Sequence, residues 1–227
     1  VSCSNEVPSD KLVERQGITY EINSTTPFTG IKVSDFGSIG EGSSRVEYKN
    51  GKEEGLFELY YQNGNLEVRY DGGFTEEYYE NGQLKHRSDS DETGLYTSME
   101  EYYEDGQLNI RWDGYVGEEY YENGQLKSKE NYKDGEQHGL SEDYYKNGQV
   151  ESKGNYKNGK LDGLLESFYE NGQLSETKHY KDGKEDGLWE YFNEQGNLTK
   201  TEEYKDGELE GPQEVFYVNG QLQEKRN

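Results

Sequence analysis

Two residue types recur at fixed positions along the chain and carry its most distinctive chemistry. A glutamate stands two residues before an aromatic residue in unit after unit: Glu58, Glu76, Glu100, Glu118, Glu142, Glu166, Glu190 and Glu214. A tyrosine follows that aromatic at Tyr61, Tyr79, Tyr103, Tyr121, Tyr145, Tyr169 and Tyr217, with Asn193 in the remaining place. On an extended strand, residues two apart share a face and neighbours point to opposite faces. Each glutamate therefore shares the face of the core aromatic. Its expected role is structural: a carboxylate accepting hydrogen bonds from turn amides or a tyrosine hydroxyl. Its sharper use would be as an acidic stripe for cations or a basic partner. The tyrosine row falls on the other face, and it is the candidate binding row. Tyrosine combines a large rigid ring with a polar tip. The competing use is as cover for the back of the sheet. If the row binds, several of its rings lie on one continuous exposed surface.

Other chemistry is poorly supported. Serines are scattered and lack a histidine partner, and no Gly-rich phosphate loop precedes a helix. His86, His138 and His179 are isolated and occupy different places in the pattern. The acidic turn Asp182-Gly183-Lys184-Glu185-Asp186-Gly187, with Asp162 and Asp206 in similar turns, lacks calcium-loop spacing and is interrupted by a lysine. Solvated turn acids are expected there. The expectation is thus no enzyme, no catalytic residue, no metal and no cofactor. The single cysteine, Cys3, excludes a disulfide framework within the chain. Its setting, Val1-Ser2-Cys3-Ser4-Asn5, resembles the end of a bacterial lipoprotein signal. That resemblance implies a lipid anchor on Cys3 and a place at the bacterial cell envelope, at the outer membrane or the cell surface. A cytoplasmic protein is the alternative.

The elements that position these rows come from a repeat. The glycines of Tyr-Tyr-Glu-Asn-Gly-Gln-Leu and its variants fall at Gly64, Gly82, Gly106, Gly124, Gly148, Gly172, Gly196 and Gly220, at intervals of 18 or 24 residues. A second phrase, Tyr-Lys-Asp-Gly-Lys-x-Asp-Gly-Leu, alternates with it. Asn-Gly and Asp-Gly suit hairpin turns because both residues tolerate positive φ. Two strands per unit give an all-β, elongated antiparallel β-meander of tandem hairpins, a single twisted sheet or an open trough. Each unit offers about four core side chains, such as Leu140, Tyr144, Val150 and Tyr156, so stability must be shared along the array. The chain divides into a flexible tether over 1–16, an atypical capping repeat over 17–55, and tandem 18- or 24-residue hairpins over 56–227. The net charge of −24 argues against direct nucleic-acid binding, and no apolar run is long enough to span a bilayer. Membrane contact is expected only through a lipid on Cys3.

The alternating phrases resemble the MORN repeat variant family over roughly residues 17–227. Pro27-Phe28-Thr29-Gly30 is similar to the phrase that opens such arrays. Gly37 to Gly42 replace the usual first turn phrase, and Gln195-Gly196 departs from Asn-Gly. The resemblance implies a hairpin array, usually non-enzymatic. Bacterial chains of this kind often carry a YwqK-type toxin–antitoxin label, which would imply binding to a toxin protein. The function expected is a scaffold or binding protein of the envelope. It would offer an acidic, Tyr-rich surface to a protein (a complex subunit, a surface receptor or a toxin) or to a glycan. The alternative is an antitoxin or immunity protein that neutralises a basic toxin.

Overall fold

The computed structural model describes residues 5–35 and 42–226. Cys3 lies outside the described residues, as does the Gly37 to Gly42 stretch apart from Gly42. The chain forms two compact units, Val1–Leu108 and Asn109–Asn227. Each is all-β and built from tandem antiparallel hairpins.

The first unit holds β1 (Glu6–Pro8), β2 (Leu12–Arg15), β3 (Ile18–Glu21), β4 (Gly30–Asp35), β5 (Ser43–Lys49), β6 (Lys52–Tyr60), β7 (Leu66–Asp71), β8 (Phe74–Tyr78), β9 (Leu84–Ser90) and β10 (Tyr96–Tyr102). From β4 to β10 each strand pairs antiparallel with the next. The second unit continues with β11 (Leu108–Trp112), β12 (Val116–Tyr120), β13 (Leu126–Lys133), β14 (Glu136–Gln137), β15 (Gly139–Tyr144), β16 (Val150–Lys157), β17 (Lys160–Phe168) and β18 (Leu174–Lys181). It ends with β19 (Lys184–Glu185), β20 (Gly187–Phe192), β21 (Leu198–Lys205), β22 (Glu208–Leu209), β23 (Gln213–Phe216) and β24 (Leu222–Arg226).

The two repeat phrases make two different turns. In Tyr-Lys-Asp-Gly both central residues have positive φ, as at Asp182 (51°) and Gly183 (82°), which is the two-residue turn that matches strand twist. In Tyr-Tyr-Glu-Asn-Gly-Gln-Leu only the glycine is left-handed. There the Gly148 N–H donates to the Tyr145 carbonyl at 2.8 Å, and the Tyr145 N–H donates to the Gln149 carbonyl at 2.9 Å. The Asn147 carboxamide oxygen accepts the Gln149 N–H at 2.9 Å. An Asn-Gly pair thus serves a longer loop in which asparagine acts through its side chain.

That longer loop is followed by a bulge. Tyr144 faces Val150 while Asp143 faces Ser152, so Glu151 has no opposite number. The same register shift follows the loops at Gly64, Gly82, Gly124, Gly172, Gly196 and Gly220, and in the groove's neighbourhood it leaves Lys127 and Ser175 as the equivalent residues. The bulge corrects the expected core. Glu142 faces Lys153 and Ser141 faces Gly154, so Tyr144 and Tyr156 lie on opposite faces of the sheet. Leu140, Tyr144, Val150 and Tyr156 therefore do not form one core. Burial is correspondingly thin: the buried hydrophobic side chains among the described residues are Val7, Phe28, Tyr48 and Trp189.

The expected tether over 1–16 is corrected for its described part. β1 pairs in parallel with β4, with Val7 opposite Lys32, and β2 forms a hairpin with β3. Val7 packs with Phe28 and Tyr48, with Leu12 and Val46 against them. Glu6 accepts Arg45 at 2.6 Å. Polar composition here conceals a strand that pairs through its backbone with a distant edge. Gly30 belongs to the same corner, because a Cβ there would meet the Asn5 carbonyl at 2.4 Å.

Candidate functional site

On one face, the glutamate row is half of a charge ladder. In the first unit, facing residues run Arg45, Glu58, Arg69, Glu76, Arg87 and Glu100 across successive strands. In the second they run Arg111, Glu118, Lys129, Glu142, Lys153 and Glu166, then Thr177, Glu190, Thr201, Glu214 and Lys225. The ion pairs include Lys129–Glu118 at 3.0 Å, Lys153–Glu166 at 3.0 Å and Lys225–Glu214 at 2.7 Å. Each carboxylate that precedes Tyr60, Tyr78 or Tyr120 also accepts that ring's hydroxyl, at 2.7, 3.0 and 2.9 Å. At Thr177 and Thr201 the base is replaced, and the Thr177 hydroxyl donates to Glu190 at 3.1 Å. Opposite charges facing across strands stabilise a sheet. The basic halves were the part sequence reasoning missed. Their signal is a Lys or Arg five residues after the loop glycine, as at Arg69, Lys129 and Lys153.

Burial, reinforced by nearby carboxylates, raises tyrosine pKa values along the ladder and beyond it. Tyr144 and Tyr120 are raised by burial and by the carboxylates of Glu142 and Glu118. Tyr132 is pushed up to about 12, first by its hydrogen bond to Glu130 and then by burial. A native value above the unfolded one means stability is fully present below about pH 10, the ordinary tyrosine value. It is lost as pH rises through the native value. Tyrosinate absorbance should show a late class that includes Tyr132, near pH 12. Loss of β-sheet circular dichroism should accompany the late class.

The tyrosine row stands at the loop end of the other face. Its hydroxyls are committed to the next repeat: Tyr61 to the Tyr78 carbonyl at 2.7 Å, Tyr79 to Tyr102 at 2.8 Å, Tyr121 to Tyr144 at 2.8 Å, Tyr145 to Phe168 at 2.6 Å and Tyr169 to Phe192 at 2.7 Å. Loop asparagines run parallel to them, with Asn123 donating to the Lys146 carbonyl and Asn147 to that of Glu170, both at 3.1 Å. The rings of Tyr61, Tyr79, Tyr103, Tyr121, Tyr145 and Tyr169 are half-buried, and Tyr217 is exposed. Tyr145→Phe should cost about 1 kcal/mol, the net worth of one hydrogen bond. Urea denaturation of the two forms measures it.

Three of these rings line a groove of about 440 Å³ in the second unit. Tyr121, Tyr145 and Tyr169 are its ribs; Asp143, Ser152 and Ser167 are its floor; Lys127, Glu151 and Ser175, the bulge residues, are its third row. The floor exists because Asp143, Ser152 and Ser167 face one another in register and are short. In the next strands the same row continues as Glu176, Tyr191 and Lys200, which are larger. In the first unit it reads Leu59, Val68, Glu77, His86 and Glu101. The Ser152 hydroxyl donates to Asp143 at 2.8 Å, and Lys127 is turned to Glu119 at 2.6 Å. Asp143 and Glu151 therefore set the sign of the groove.

The acidic turns are engaged with their neighbours. Asp186 pairs with Lys205 at 2.7 Å, and Asp162 accepts the Asp182 N–H at 3.2 Å. Among the described residues no three His, Cys, Asp or Glu side chains gather as a metal group.

A profile described as MORN repeat variant matches residues 53–70, 75–88, 116–134, 137–158, 161–182, 185–206 and 209–227. The chain belongs to the MORN repeat variant family. The matched segments of this MORN chain coincide with its hairpins, and the family supports a repeat scaffold or binding protein. No curated protein matches the chain. Among solved structures, it is similar to the Staphylococcus aureus TarM G117R mutant in complex with Fondaparinux, alpha-GlcNAc-glycerol and UDP, at 11% identity and a TM-score of 0.29, over 56% of this chain and 21% of that one. It is also similar to TcdB2-TccC3, at 12% identity and a TM-score of 0.20, over 78% of this chain and 13% of that one. A Photorhabdus luminescens Tc holotoxin pore with the mutation TccC3-D651A is similar at 11% identity and a TM-score of 0.19, over 77% and 13%. The chain thus spans about a fifth or less of these proteins, and likenesses this weak carry no argument about its role.

Proposed function

We propose that this MORN repeat chain is a non-enzymatic scaffold that presents the acidic, tyrosine-ribbed groove of its second unit to a protein partner. We further propose that it does so at a bacterial cell envelope, anchored by a lipid on Cys3. The observation that carries the binding role is the triple row of the groove. Ribs, short floor and bulge residues come together here and leave open space along the sheet. Rings held by their hydroxyls lose little further entropy on binding, so contact with their faces costs little ordering. The net charge of −24 favours a partner with a basic surface.

The experiment is affinity capture with the full chain and with Ser152→Arg. Arginine at the floor fills the groove and pairs with Asp143 while leaving the ladder face untouched. A partner retained by the natural chain and lost from the variant, at equal stability, supports the reading. Equal retention by both overturns it. Anchorage is read separately: Cys3→Ser should release the protein from the membrane fraction. An unmodified thiol on Cys3 in the natural product contradicts the anchor.

A further inference from the structure

The groove carries its own example of a ligand contact. The Lys146 ammonium lies over the ring of Tyr121, 5.7 Å from its centroid. Lys146 reaches that place because the loop that carries it is the one to which Tyr121 and Asn123 are bonded. One repeat on, Tyr145 and Asn147 are bonded to the next loop in the same way, but the residue in the place of Lys146 is Glu170. Glu151 lines the groove beside Tyr145, and burial, then the carboxylates of Glu151 and Glu170, raise the Tyr145 pKa. A cation over the Tyr145 ring would face a π surface flanked by two carboxylates. That is a stronger site than the one Lys146 occupies, since the ring quadrupole and the charges act together.

The ribs also have a period. Successive ribs are separated by two strands, or about 9.6 Å. A polyproline II helix advances about 9.3 Å in its three-residue turn. Side chains three apart on such a helix therefore meet successive ribs, and about seven residues span the three ribs from Tyr121 to Tyr169. A β-strand ligand, whose side chains on one face recur at about 6.8 Å, falls out of step after one rib.

We infer that the occupant of this groove is a proline-rich segment in the polyproline II conformation, with basic side chains three apart stacked on Tyr145 and Tyr169, the Tyr121 ring already holding Lys146. The leading contact is an arginine or lysine over Tyr145, between Glu151 and Glu170. Proline rings fill the intervals over the short floor of Asp143, Ser152 and Ser167. Such a ligand is preorganised, so little affinity is lost in ordering it. The inference rests on the groove being the binding surface, and it names what that surface takes.

The test is fluorescence anisotropy with the full chain and labelled nine-residue peptides. One is (Pro-Pro-Arg)₃; a second, (Gly-Ser-Arg)₃, has the same charge on a flexible backbone. A third spaces three arginines two apart in an otherwise proline peptide. Chitotetraose is the fourth probe. The expected result is binding of the first peptide about tenfold tighter than of the second and third, as preorganisation and period predict. Binding should weaken with salt and at least tenfold in Glu151→Lys. Equal affinity for the first two peptides would reduce the groove to a charge patch and overturn the inference. So would tighter binding of the saccharide, or no binding of any peptide. Ser152→Arg separates the two levels. If it abolishes capture of the native partner while (Pro-Pro-Arg)₃ fails to bind the natural chain, the groove reading stands and the polyproline inference falls. If capture is unchanged in Ser152→Arg, the groove reading itself falls.

Discussion

Replacing Trp189 by alanine should destabilise the second unit by about 3–5 kcal/mol, the range for truncating a buried aromatic. The array has few large buried side chains, and Trp189 is only 8% exposed. Its ring sits between Tyr204, at 4.4 Å, and Tyr180, at 5.6 Å. The Lys178 ammonium lies 4.9 Å above it, and its indole N–H donates to the His179 carbonyl at 3.2 Å. Truncation removes ring contacts, a cation–π contact and a donor together, leaving a gap that paired strands cannot close. Trp189→Phe should recover the ring contacts but not the N–H bond. Urea denaturation measures the loss. Hydrogen exchange locates it: because repeats stabilise their neighbours, amides of β18 to β21 should exchange fastest.

Glu202→Ala should cost about 2–3 kcal/mol, the penalty of stranding groups that shared one acceptor. Glu202 is 5% exposed and accepts Lys200 and Gln213, both at 2.6 Å, and Tyr191 at 2.9 Å. Burial pushes its carboxyl up. The Lys200 ammonium and the hydrogen bonds from Tyr191 and Gln213 outweigh burial and hold it below the usual carboxylate range. A carboxyl lowered in the native state contributes stability that is complete above its unfolded value, about 4.3. That contribution is lost as pH falls through the lower native value. The natural chain should therefore lose stability more steeply than Glu202→Ala between about pH 5 and pH 3. Parallel acid titrations of the two would show it, and equal slopes would contradict the assignment.

Trp189 and Glu202 face each other beside Tyr191 and Lys200, which follow Glu176 in the row beyond the groove. Tyr191 and Lys200 continue the floor row where Ser152 and Ser167 leave off, and Lys200 lies over Tyr191 at 5.2 Å. The same position in the repeat is thus a short side chain where the sheet is open and a bulky pair where it is packed.

The period, strand positions and all-β class were legible because Tyr, Asn, Asp and Gly recur in phase, and turn chemistry is local. So was the division of Glu142 and Tyr145 between two faces, which needs only alternation within one strand. What lay beyond the sequence depended on how strands meet. Asn147-Gly148 and Asp182-Gly183 look alike, yet they close loops of different length: the first is followed by a one-residue bulge that swaps the faces, the second by a two-residue shift that keeps them. That single extra residue moves Tyr156 to the face opposite Tyr144, and it creates the row of Lys127, Glu151 and Ser175. The groove floor was hidden because Ser152 and Ser167 mean nothing until register sets them opposite each other. The β1 pairing was hidden because Glu6–Pro8 is polar and short, and its partner strand lies across a hairpin.

The most direct measurement is hydroxyl-radical footprinting of the full chain, free and bound to its captured partner. Protection at Tyr121, Tyr145, Tyr169 and Glu151, with Leu140 and Leu188 on the ladder face unchanged, is the predicted result. Protection of Leu140 and Leu188, with the three tyrosines as reactive as in the free chain, would contradict the assignment of binding to the groove.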